Sequence, residues 1–181
     1  MILVCYQFWM SNVKCVTCQK PKAGLICGIC QETICKKCTQ FVAENFFSFL
    51  KKVPKELSHT AYCNTCYDHK VLPEITKYNE MMDAAKNILV FMKAQFKETR
   101  LIKRLADPIH VMECADYDET LLRLAFQAVE LEYNGIIDVD IISKKIKVGK
   151  YQTTVFSGTA IPANVREDKL IKDKSNWSSP N

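Results

Sequence analysis

The stretch Cys27–Cys38, CGICQETICKKC, is the part of this chain whose reading decides the fold. It holds two CxxC pairs, Cys27/Cys30 and Cys35/Cys38, with four residues between them. Eight residues upstream lies CVTC (Cys15, Cys18), and 24 residues downstream lies YCNTCY (Cys63, Cys66). Eight of the ten cysteines therefore fall into four CxxC pairs. A CxxC puts two thiolates on one tight turn, at the spacing that one tetrahedral Zn²⁺ accepts from a single knuckle. Two knuckles complete a site, so four make two closed Cys₄ sites. One such pair alone would serve equally as a redox motif, but four in register point to structural metal. The expectation is two Zn²⁺ per chain, ligated by Cys15, Cys18, Cys27, Cys30, Cys35, Cys38, Cys63 and Cys66.

A disulfide framework is the competing reading, and it needs an oxidising compartment. The first ten residues, MILVCYQFWM, are apolar but carry no basic lead and no small-residue cleavage site, so they make a poor signal peptide. The longest apolar run, NILVFM (Asn87–Met92), is far too short to span a bilayer. The chain is accordingly expected to be soluble and intracellular (cytoplasmic), with reduced thiols. Cys5 reads as a small apolar residue, and Cys114, in IHVMEC, as a strand residue.

Two pairings of the knuckles are open. Sequential pairing joins the first to the second and the third to the fourth. Interleaved pairing joins the first to the third and the second to the fourth. The short link between Cys30 and Cys35 suits a hairpin whose two ends serve different metals, which favours the interleaved cross-brace.

Eight cysteines at these spacings, with Tyr67 after the last, resemble the FYVE and FYVE-like zinc fingers over roughly residues 10–69. The RING family is a poorer match, since no histidine lies between Cys15 and Cys38; a RING-like ubiquitin-ligase module stays open as an alternative. The FYVE resemblance implies a cross-braced fold and, in its lipid-binding members, a basic RxHHCR-type patch around the third cysteine. Here Ala23, Gly24, Leu25 and Ile26 occupy that place. Phosphate capture needs charge-assisted donors, ideally Arg forks, and the first Arg of the chain is Arg100. The Trp-containing motif of the family is at most hinted at by Trp9. The expectation is therefore a FYVE-like scaffold without its lipid pocket.

Charge agrees. Residues 1–72 carry nine Lys and four acids, a formal +5. Eight thiolates less two Zn²⁺ contribute −4, leaving about +1 on the loaded finger. The basic pI of 8.6 thus overstates any pull toward phosphate. Nucleic acid is not an expected partner, and Lys51, Lys52 and Lys55 read as a solvated loop face. The aromatic run Phe41–Leu50, FVAENFFSFL, reads as core over the metal sites. A loop gripping a membrane or a partner is its alternative, which would make the chain a phosphoinositide-recruitment protein.

Beyond the finger (10–72), residues 73–105 read as one long helix with a possible coiled-coil seam. Ile75, Met82, Leu89 and Phe96 recur every seven residues, with Tyr78, Ala85 and Met92 in step. Pro73 suits a helix N1 position. Residues 106–165 read as β-α-β-β: strand IHVMEC, a helix opened by an Asp116/Glu119 capping pair and stopped at Asn134–Gly135, then two strands turning at Gly149. Residues 166–181 form a polar tail. The run LAFQAVELEYNGIIDVDI with VFSGTAIPA resembles a family of small bacterial domains labelled heavy-metal-binding, whose members assemble into rings through their sheets. That resemblance implies a homo-oligomer. It does not carry a metal site with it: only Asp138 and Asp140 offer donors, and they read as a solvated face.

A catalytic centre needs a nucleophile or base with an oriented partner. His59, His69 and His110 are scattered, no phosphate-cradling glycine loop is present, and a Cys₄ site leaves no open position for water. The expectation is an α+β, non-catalytic protein that presents a surface to a protein partner, with membrane not favoured.

Overall fold

The structure, a computed structural model, describes residues 13–21, 23–166, 168 and 170, all but Val148 with their side chains. Cys5, Trp9 and most of the tail lie outside the described residues. The fold is α+β and divides into two compact units, one ending at Tyr78 and one beginning at Asn79.

The first unit is built from two small hairpins and a helical run. Strands β1 (Leu25–Ile26) and β2 (Thr33–Ile34) pair antiparallel, with Ile26 opposite Thr33. Strands β3 (Thr39–Phe41) and β4 (Ala61–Cys63) pair antiparallel, with Thr39 opposite Cys63. Helix α1 (Asn64–Cys66) passes through a π-helical turn (Tyr67–Val71) into α2 (Leu72–Lys86). Pro73 therefore lies inside a helical run instead of opening one. A proline has no N–H to give the ladder, and here the preceding turn is wide, with the Leu72 N–H reaching back to the Tyr67 carbonyl. The apolar interior is small: Ile34, Val42, Phe47, Leu57, Tyr62 and Val71 are buried. Tyr62 is fully buried, and its hydroxyl donates to the His59 carbonyl at 2.7 Å.

The Phe41–Leu50 run divides. Phe47 is buried and forms a ring cluster with Phe46 and Tyr78, at centroid distances of 5.0 to 5.5 Å. Phe41 points outward and is 59% exposed. Lys51, Lys52 and Lys55 are exposed, as a solvated loop face requires.

The second unit is a four-stranded sheet with one long helix. Strands β5 (Leu89–Met92), β6 (Ile109–Cys114), β7 (Gly135–Val148) and β8 (Tyr151–Ala163) lie in the order β5-β7-β8-β6. β5 runs parallel to β7, and β8 runs antiparallel to both β7 and β6. The short helix α3 (Phe96–Thr99) follows β5, and α4 (Tyr117–Glu130) connects β6 to β7. The expected β-α-β-β order is present as β6-α4-β7-β8.

The helix expected over 73–105 stops at Lys86, and with it goes the coiled-coil seam. Asn87 ends it: its side-chain amide donates to the Asp83 carbonyl at 2.8 Å. The run that follows is rich in β-branched and aromatic residues and joins the sheet beside β7, where Leu89 faces Gly135 and Val90 faces Ile136. Ladder pairing and the partial burial of Val90, Phe91 and Met92 outweigh a modest helix propensity. Tyr78 and Ala85 of the heptad stripe are buried on α2, but Leu89 and Met92 are strand residues and Phe96 opens α3.

Helix α4 covers one face of the sheet. A Cβ at Gly158 of β8 would lie 2.8 Å from Thr120 Cγ2 and 3.0 Å from Leu124 Cδ1, so the glycine admits the close approach. Leu124, Ala125, Phe126 and Ala128 of the helix are buried, as are Ile136, Val139 and Ala160 of the sheet, while Ile137 joins a separate cluster with Ile102, Ala163 and Val165. The capping pair is present: the Asp116 carboxylate accepts from the Glu119 N–H at 2.7 Å, and the Glu119 carboxylate accepts from the Ala115 N–H at 2.8 Å. The helix stop differs from expectation. Glu132 takes the left-handed conformation (φ 62°), and Tyr133 N–H bonds the Ala128 carbonyl while Glu132 N–H bonds that of Val129. This double bond pattern is a Schellman stop, and it comes before Asn134–Gly135. Asn134 does other work, clamping the Val165 backbone with bonds of 3.0 and 2.7 Å.

Of the pair expected to form a solvated face, Asp140 stays at the surface with its side chain 46% exposed, while Asp138 is drawn inward. A bulge between Ile137 and Asp140 breaks the alternation and sets Asp138 at φ 54°. Asp138 is bound by both arms of Arg104 at 2.5 and 2.9 Å, and Asp140 by Lys93 at 3.0 Å. Each acid is thus paired with a cation of its own unit, and the two do not belong to a metal-ligand group among the described residues. Cys114 is a buried strand residue, as expected.

Candidate metal centre

The four CxxC pairs fold as two kinds of turn, and each metal site takes one of each. The first two pairs are matching hairpin knuckles. In one, Cys15 N–H bonds the Lys20 carbonyl and Gln19 N–H the Cys15 carbonyl; in the other, Cys27 N–H bonds Glu32 and Gln31 N–H bonds Cys27. Both close on a glutamine in the left-handed region, Gln19 at φ 58° and Gln31 at φ 62°. Each glutamine amide donates back into its own turn at 3.1 Å, to Val16 and to Gly28. The signal for both glutamines in the sequence is the repeat CxxCQ at Cys15 and at Cys27.

The last two pairs sit on helical turns. Lys36–Cys38 is a 3₁₀ turn, tied by Thr39 Oγ1 donating to the Cys35 carbonyl at 3.0 Å. Cys63 is the N-cap of α1, where its sulfur accepts the Cys66 N–H at 3.4 Å.

The hairpin explains the pairing. Cys27 and Cys30 occupy the turn that joins β1 to β2, while Cys35 follows β2 at the opposite end. Cys30 and Cys35 therefore serve different sites despite their short link. The structure gathers Cys15, Cys18, Cys35 and Cys38 into one group and Cys27, Cys30, Cys63 and Cys66 into another, with the sulfurs of each within 4.8 Å of one another. This is the interleaved arrangement. β4 fixes the second group: Gly28 N–H bonds the Ala61 carbonyl at 2.9 Å, and Cys63 N–H donates to Cys27 Sγ at 3.4 Å. His59 packs on the same knuckle, so that a Cβ at Gly28 would meet its Cβ at 2.3 Å.

The sulfur spacing is that of ligands around one metal and not that of a formed disulfide. Four sulfurs at about 2.3 Å from one zinc stand about 3.8 Å apart along each tetrahedral edge. Cys18 and Cys35 are 3.7 Å apart and Cys30 and Cys63 3.9 Å, whereas a disulfide needs about 2.05 Å. All nine described cysteines are free. Two Cys₄ groups, each able to hold one metal ion, are consistent with two zinc ions per chain; the all-sulfur donor set favours zinc over hard cations.

The thiols are held in a state that a cation would complete. Backbone N–H groups, that of Cys18 first, bring the Cys15 thiol down to about 6. Burial works against Cys27, but the N–H groups of Cys63, Cys30 and Ile29 outweigh it and bring that thiol also to about 6. The Cys35 thiol is lowered, chiefly by the Cys38 N–H. In compensation, the neighbouring sulfur of Cys35 pushes Cys38 up to about 12, and burial followed by the Cys63 sulfur pushes Cys66 up to about 12. Partial desolvation of its sulfur, followed by the sulfurs of Cys27 and Cys63, raises Cys30 as well, although the residue is exposed. Four thiols this close cannot all ionise beside one another; a divalent ion among them removes the repulsion.

Comparison with protein-family models, with curated proteins and with solved structures gave no match to this chain. What the fold and site define is a finger unit with two interleaved Cys₄ groups and, in the same chain, a sheet unit. Among the described residues, no helix is long and apolar enough to cross a membrane.

Proposed function

We propose that the chain is a zinc-stabilised, non-catalytic interaction protein whose finger is FYVE-like and lacks the basic lipid-binding motif. Its eight ligands are the cysteines of the two groups. The observation that carries this reading is the interleaved pairing of two all-cysteine sites, in which every tetrahedral position is filled by protein sulfur. Such sites hold a fold together and leave no position for an activated water.

The finger's surface supports a protein partner over a phosphate. Where a lipid-reading finger needs cations, β1 presents Ile26, 58% exposed. Val16, also exposed, donates its N–H to the carbonyl of Thr33, the residue paired with Ile26. Exposed apolar side chains of this kind, without Arg, suit a protein contact. Self-association is the role we assign to the sheet unit. On its face opposite α4, Met112 and Ile142 are 77% and 65% exposed and border one depression with His110 and Thr159.

Phe41, exposed at the end of β3, favours a second reading in which the finger inserts into a phosphoinositide membrane. Vesicle flotation separates the two. Equal and weak binding to vesicles with and without phosphatidylinositol 3-phosphate is expected. Selective flotation with that lipid would replace our reading by the second.

A further inference from the structure

The eight ligand cysteines are unequally covered. In the first site Cys15 is buried and Cys18, Cys35 and Cys38 are half-buried. In the second, Cys27 and Cys63 are buried and Cys66 is half-buried, while Cys30 is exposed among the described residues. Its place explains this. Cys30 closes the knuckle at the tip of the β1–β2 hairpin, followed by the exposed Gln31 and Glu32. Its sulfur stands 3.9 Å from that of Cys63, which belongs to the other half of the same site. Proximity alone does not single out this pair, since Cys18 and Cys35 are equally close at 3.7 Å. Exposure of the residue does: of the eight ligands only Cys30 is exposed, and an attacking reagent must reach one ligand before a second can resolve the product.

We propose that Cys30 is a modification site for peroxides and soft electrophiles, and that peroxide links it to Cys63, expelling the metal of the second site while the first keeps its own. The inference rests on the reading of the eight cysteines as zinc ligands. The Cys30 thiolate attacks one peroxide oxygen, the O–O bond breaks, and hydroxide leaves, giving a sulfenic acid on Cys30. The Cys63 thiolate then attacks that sulfur, the S–S bond forms, the S–O bond breaks, and a second hydroxide leaves. Two thiolates together lose two electrons, hydrogen peroxide gains them, and two protons from solvent complete two waters. Cys27 and Cys66 remain, two donors where structural zinc uses four, and Zn²⁺ departs.

The test uses the full chain loaded with zinc, its metal first counted by native mass spectrometry. Hydrogen peroxide is then added in small steps. Zinc release is followed with a chromogenic chelator and cysteine oxidation by peptide mass mapping. One zinc is expected to leave about tenfold faster than the other, together with a Cys30–Cys63 disulfide, and N-ethylmaleimide is expected to label Cys30 first. Cys30→His supplies a fourth zinc ligand without a thiolate; it should keep two metals and slow the first release about tenfold. Simultaneous loss of both zincs, earlier oxidation of Cys18 or Cys35, or unchanged release from Cys30→His would overturn the proposal. A chain carrying no zinc before peroxide is added would instead overturn the reading of the sites on which it rests.

Discussion

The two units of this chain keep their shape by different means. The finger has few large buried side chains and places eight sulfurs in two groups; the sheet unit has no Cys₄ group among its described residues and buries apolar side chains of α4, such as Leu124 and Phe126, together with a separate cluster of Ile102, Ile137, Ala163 and Val165. A module as small as the finger recovers little free energy from apolar burial, and metal ligation makes up the deficit. The sheet unit has the more usual solution, in which each fully buried large apolar side chain contributes on the order of 1.5–3 kcal/mol. The difference teaches where each unit is fragile.

The largest effect should follow from removing metal. Structural zinc contributes roughly 10–16 kcal/mol of apparent binding free energy in finger peptides. A strong chelator should therefore unfold the finger and leave the sheet unit's amide protection, read by hydrogen exchange, in place. Acid should act in the same direction, since the ligands are thiolates. The folded-state values of Cys15 and Cys27, about 6 against an ordinary 9.0, are depressed. These two ligands stay ionised until pH falls through about 6, and protonation there competes with the metal and releases it. Loss of protection throughout the chain on chelation would break the comparison.

The converse perturbation is Phe126→Ala, at a fully buried position on α4. It should cost about 3–5 kcal/mol, read as a lower midpoint of denaturant unfolding, while the chain still binds two zinc ions. Fewer zincs in that variant would show that the finger draws its stability from the sheet unit.

A smaller change sharpens the contrast inside the finger. Gly28→Ala drives a methyl group into His59 and should cost about 1–3 kcal/mol. The loss should appear as weaker zinc binding at the second site only, in a competition titration against a chromogenic chelator. The smallest effect is expected from Asp116→Ala, which removes the cap of α4 for about 1 kcal/mol. It should shift the sheet unit's melting and leave zinc affinity untouched.

The sequence spoke most plainly where covalent spacing restricts geometry. The CxxC pairs, the four-residue link that forces Cys30 and Cys35 apart, the Asp116/Glu119 cap and the glycine turn at Gly149 are local devices, each closing within a few residues. The paired glutamines Gln19 and Gln31 were equally local, but they became legible only once the two knuckles were laid side by side. What the sequence hid depended on partners far along the chain. Leu89, Met92 and Phe96 continue a seven-residue repeat by coincidence, and only β7, more than forty residues later, shows that Leu89 and Met92 belong to a strand. Asp138 looked like a surface acid because the bulge that turns it toward Arg104 leaves no mark in the residue pattern. Asn134 resembled a helix stop because its bond to Val165 spans 31 residues.

The central claim is that two interleaved Cys₄ sites each hold a zinc ion, and native mass spectrometry of the purified chain with and without chelator tests it most directly. The account predicts two zincs per chain, with Cys15→Ala and Cys35→Ala losing the same single metal and Cys27→Ala the other. A metal-free chain whose mass is lower by two hydrogens for each cysteine pair, or a Cys35→Ala variant that loses the metal of the Cys27 group, would contradict it.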